Sequence, residues 1–213
     1  MLRHAGRAVP WALVAVAAVL VVGLLGLVRW RPWTLWPLEG VAVGLLAAAA
    51  GWCLDEPAAA VVDVAPRGLA WRTATRAPGI GVLVLAWAGG VRWAGDALFG
   101  HPLDVLQQGG AGVLVAMAWT TWRRAAGESS PGGRWALTVV PLAAGWALVR
   151  PWPDAVPVFP FGPDAGWRAS AVGWSAATGL AGAALAVVLT LDGVPELGQR
   201  RPGSPRRTGP SAC

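Results

Sequence analysis

The side chains that could do chemistry in this chain are few and scattered. Its 213 residues include 11 acids, 17 basic residues and two histidines. Five polar residues, Glu39, Arg92, Asp96, Gln107 and Gln108, fall at the edges of long apolar stretches. Ionisable groups inside a bilayer are costly, so where they persist they pair with one another or line a path for ions or substrate. Arg92 and Asp96 are four apart and would meet on one helix face. The five therefore read either as a salt-bridged polar cluster or as part of a substrate path.

A second collection lies between Leu54 and Arg76. Asp55 is a good N-cap, and Glu56 and Pro57 suit the first turn of a helix. A short helix over 58–64 would follow, ended by Pro66 and Gly68. A second short helix around Leu69, Trp71 and Arg72 is expected at the membrane surface. On this reading Asp63, Arg67 and Arg72 are the polar contacts offered to a partner, and Asp55 holds the helix start. The same residues could equally make a capped connector anchored by Arg and Trp.

Nothing resembles an active site. Ser129 and Ser130 sit in a Gly/Pro turn with no histidine nearby to act as base. His4 and His101 are far apart. Cys53 and Cys213 make neither a CxxC pair nor a metal-ligand spacing. The arginines are dispersed around apolar runs and form no basic face for nucleic acid. The sequence also lacks a phosphate-binding loop of the Walker A type. The expectation is a protein without enzymatic activity, metal or cofactor.

The elements that position these residues are hydrophobic. Residues of the hydrophobic class make up 55% of the chain and charged ones 13%, against about 25% charged in an ordinary soluble domain. The apolar residues gather into runs of spanning length. Six spans are predicted, over 9–28, 35–54, 78–99, 105–122, 135–149 and 169–191, making an all-α polytopic bundle over residues 1–191. The fifth is short and contains Pro141, which removes a backbone donor and should bend it. The Pro-rich stretch from Pro151 to Arg168 suits stiff extended structure, as a lid or as a connector. Residues 192–213 are rich in Pro, Gly, Ser and Arg and are expected to be a disordered tail.

All 17 basic residues are Arg, and six spans would put 12 of them on the side of the two termini and 5 on the other. Inner loops collect basic residues, so both termini should be cytoplasmic and the cluster around Glu39 should lie on the outer side. Of the 15 Trp, Trp11, Trp30, Trp33, Trp36, Trp52, Trp93, Trp122, Trp135, Trp152 and Trp167 fall near span ends, the depth that indole rings favour. Trp87, Trp119, Trp146 and Trp174 fall deeper and should pack between helices.

The run Asp55-Glu56-Pro57-Ala58-Ala59, then Pro66 and the Arg-bearing segment into the third span, resembles small multi-span actinobacterial proteins related to ABC-2-type transporter permeases. The resemblance is local to about 25 residues, with the six-span layout beside it. It implies a permease-like subunit in a bacterial plasma membrane. The connection over 55–76 would be its coupling element, touching a separate ABC ATPase, and the subunit would work as a homo- or hetero-oligomer. The alternative reading is a non-transporting membrane scaffold or accessory subunit.

Overall fold

The apolar runs become helices. The computed structural model describes residues 8–55, 68–152, 155–162 and 166–192. Among them are six α-helices and no strand: α1 (Trp11–Trp30), α2 (Leu35–Cys53), α3 (Leu69–Ala94), α4 (Pro102–Ala125), α5 (Pro131–Val149) and α6 (Gly166–Asp192). Short 3-10 turns cover Pro32–Thr34 and Gly95–Leu98. The chain runs up and down, so the starts of α1, α3 and α5 share an end with the finishes of α2 and α4. That end carries Asp55; the opposite end carries Glu39.

By length and composition four stretches are long and apolar enough to cross a membrane: Trp11–Trp30, Pro32–Cys53, Leu69–Leu98 and Gly166–Leu191. The helices α4 and α5 are not among them. The sequence explains why. The fourth holds Asp104, Gln107, Gln108, Arg123 and Arg124 within its own length, and the fifth includes Arg134.

The third helix starts nine residues before the predicted span, at Leu69. Hydropathy marks apolar surface, not helical backbone, so it missed the first turns, which carry Arg72 and Arg76. No separate surface helix exists around Trp71; that stretch is the beginning of α3, and Pro78 sits inside it. At its far end α3 stops at Gly95, whose φ of +42° most side chains would resist.

Helix α2 is the spine. It packs against α1, α3, α4 and α5, and 67% of its apolar window is buried within the protein. Its contact with α5 is the tightest. A Cβ built on Gly40 would stand 2.5 Å from the Ala143 carbonyl oxygen and 2.5 Å from the Ala147 Cβ. One on Gly44 would meet Ala143, and one on Gly132 of α5 would run into the backbone of Gly51. Small residues let the two backbones approach, the usual device where lipid offers no hydrophobic driving force. Two indoles bridge the pair: Trp36 Nε1 donates to the Ala147 carbonyl (2.8 Å) and Trp135 Nε1 to that of Ala47 (3.0 Å).

Tryptophans also wedge into other seams. Trp87 is buried against Gly109 and donates to the Leu106 carbonyl at 3.2 Å, as expected of the deep set. At the Glu39 end, Trp33, Phe99 and Phe161 form a mutual cluster with centroids 5.5–5.8 Å apart. This cluster draws part of the Pro-rich stretch onto the helix ends. Ser170 and Trp174 both donate to the Val158 carbonyl, and Arg150 donates to that of Phe159. In α5, the Thr138 hydroxyl donates to the Arg134 carbonyl at 2.9 Å. It therefore does not reach Leu137, the carbonyl that Pro141 deprives of a partner.

Candidate functional site

Asp55 follows directly on the end of α2, with its backbone N–H donating to the Trp52 carbonyl. Its carboxylate reaches across to the start of α5. Oδ1 accepts from the Gly132 amide at 2.6 Å, and Oδ2 accepts from the Gly133 amide at 2.9 Å and the Ser130 hydroxyl at 2.8 Å. The first amides of a helix have no partner inside it and favour negative charge. Asp55 supplies both needs from another helix. Local pattern assigns Asp55 to the helix start that follows it in the chain, whereas its carboxylate is engaged by α5.

The other edge of the 55–76 segment is fastened too. Arg76 is buried on α3. Its guanidinium donates to the Leu54 carbonyl at the end of α2 (3.2 Å) and to the Ala8 carbonyl ahead of α1 (3.4 Å). A cation beside the carbonyls that close a helix is favourably placed. Arg72, Thr73 and Arg76 of α3 line a narrow crevice together with Leu54, Thr120, Thr121 and Arg124, with a cavity of only about 10 Å³. Beside it the α4–α5 turn is held by Glu128, which pairs with Arg123 (2.7 Å) and Arg134 (3.0 Å). Glu56, Pro57, Asp63 and Arg67 lie outside the described residues.

At the opposite end the five polar residues separate into three settings. Glu39 and Gln108 are brought together between α2 and α4, each 1% exposed. Gln108 is close enough to act on the carboxylate, yet the geometry is not that of a hydrogen bond. All four polar side-chain atoms of the two residues are without a hydrogen-bond partner. Gln107, one residue earlier, points elsewhere: its amide donates to the Ala171 carbonyl (3.1 Å) and the Ser175 hydroxyl (2.7 Å) of α6. Adjacent residues on a helix face about 100° apart, and here that angle sends one glutamine to α2 and the other to α6.

Arg92 and Asp96 form no ion pair with each other. Gly95 ends α3 between them, so the four-residue spacing no longer places them on one helical face. Both line an open groove with Val91, Leu103 and Leu106. The sequence missed His101, which bonds Asp104 at 2.9 Å and stacks on Trp167, with ring centroids 4.3 Å apart and planes 5° apart. Its position one residue before Pro102 and three before Asp104 was the available signal for the His101–Asp104 contact.

No three His, Cys, Asp or Glu side chains gather to hold a metal among the described residues. Comparison with protein families, with characterised proteins and with solved structures gives no match.

Proposed function

We propose that this protein is a membrane subunit of a transport assembly, permease-like in plan, with the 55–76 segment as the docking element for a separate ATPase. In this reading the six helices all span a bacterial plasma membrane, and both termini and the docking segment face the cytoplasm. One observation carries the proposal: the segment is tied to the helices at both edges. Asp55 grips the start of α5, and Arg76 ties α3 to the end of α2 and the approach to α1. A push on the segment would thus reach four helices through its two described edges. The local likeness to permease coupling regions supports the same assignment.

A second reading, an accessory or scaffold subunit, draws on the α2–α5 interface. There the glycine contacts leave no room for a path between the two helices. The two readings differ in their partner. Charge reversal at Asp63 and Arg67 in the full-length protein, followed by quantification of membrane level and of co-purifying proteins, separates them. Normal accumulation with at least a several-fold loss of a co-purifying ATPase is the expected result. Unchanged recovery of that ATPase, or recovery of partners without any ATPase in the unmodified protein, would remove the docking assignment. Asp55 is a poor reporter for this purpose, because its loss would loosen α5.

A further inference from the structure

Glu39 and Gln108 pose a problem of valence. A carboxylate offers only acceptors, while a glutamine amide offers one acceptor oxygen and one donor nitrogen. In the charged state, Gln108 Nε2 can serve the Glu39 carboxylate. Gln108 Oε1 is then left without a donor. Both side chains are sealed in the helix packing, and neither takes a hydrogen bond from any other group. A buried charge with no hydrogen bonds is strongly disfavoured, and so is a buried polar atom whose hydrogen bond is not made.

One proton resolves all four atoms. A carboxyl O–H can donate to Gln108 Oε1 while the carboxyl C=O accepts from Gln108 Nε2, closing a ring of two reciprocal hydrogen bonds. We propose that Glu39 and Gln108 together form a proton-binding site between α2 and α4, in which small side-chain rotations let the carboxyl and the amide share the bound proton. The proton comes from water and returns to it, so the step needs no other reactant. The inference stands apart from the docking proposal, because it concerns the opposite end of the bundle.

A metal cation is the poorer ligand for this site. It would need more oxygen donors than the two side chains supply, and Gly40, one residue on, is packed directly against Ala143 and Ala147. The charges acting on the carboxylate are Arg150, at the end of α5, and Asp104 on α4. Asp104 is itself bonded to His101, and Arg150 donates to the Phe159 carbonyl. At the same end α1 contributes Arg29, whose guanidinium donates to the Trp93 carbonyl, and α3 contributes the exposed Arg92.

Infrared difference spectroscopy on the full-length protein in lipid nanodiscs tests the site. Glu39→Gln keeps shape and removes the titrating group; Gln108→Leu removes the partner. The unmodified protein should show a protonated-carboxyl C=O band in neutral buffer that falls in frequency in deuterium oxide. That band should be lost in Glu39→Gln and shifted in Gln108→Leu. The absence of a protonated-carboxyl band in the unmodified protein would overturn the proposal, and this readout needs no variant. So would a band retained in a folded Glu39→Gln protein, or one that is indifferent to Gln108→Leu.

Discussion

Helices α2 and α6 are alike in apolar character and opposite in setting. The window of α2 is 67% buried within the protein and that of α6 only 6%. Glycine spacing accounts for much of the difference. Gly40, Gly44 and Gly51 of α2 each press on α5 or its neighbours, whereas Gly173 and Gly179 of α6 have open space where a side chain would go. Polar ties follow the same division. The α2–α5 pair is fastened at both ends and in the middle, by Trp36, Trp135 and Asp55. The side-chain ties on α6, through Trp167, Ser170, Trp174 and Gln107, lie in its first half. One helix is built to be surrounded by protein. The other presents Val172, Leu180, Val187 and Leu191 outward, a surface suited to lipid or to another membrane subunit.

The contrast breaks most sharply at glycine. Gly40→Leu or Gly132→Val should force α2 and α5 apart at a cost of roughly 2–3 kcal/mol, the scale of core overpacking. Loss of the monodisperse peak and a marked fall in melting temperature in detergent would show it. Gly173→Ala and Gly179→Ala should change stability by at most about 1 kcal/mol, in the stabilising direction. Equal damage from both pairs would erase the distinction between the helices.

Smaller effects sharpen it. Asp55→Ala removes an N-terminal cap and should lower stability by roughly 0.5–2 kcal/mol. Hydrogen exchange at Gly132 and Gly133 should rise with it, while α6 stays unchanged. Gln107→Leu should leave the stability within about 1 kcal/mol of the parent and accelerate exchange in the first half of α6 alone. A uniform rise across the bundle in either variant would mean that the two regions do not behave separately.

The helices were legible because apolar runs of spanning length have few other uses, and the observed elements lie over all six predicted stretches. Boundaries were legible only where polarity and helix end together. They failed at α3, which carries Arg72 and Arg76 into its first turns. Of the polar residues, the sequence found Glu39 and Gln108 but could not pair them, since they stand 69 positions apart. Nor could it separate Gln108 from Gln107. Asp55 showed a different limit. Its residue type announced a cap, but the helix it caps begins more than seventy residues later. Local pattern identifies such a function without identifying its object.

The most direct test of the arrangement is carbene labelling from a photoactivatable reagent dissolved in the bilayer, read residue by residue after digestion of the full-length protein in nanodiscs. If the chain crosses the membrane with α2 at its centre and α6 at its edge, label should fall on Val172, Leu180 and Val187 of α6 and on Val16, Val19 and Leu20 of α1, all exposed. It should spare Ala42, Leu46 and Ala50 of α2, which are at most 1% exposed. Labelling of α2 as heavily as α6, or no labelling of either, would contradict the account.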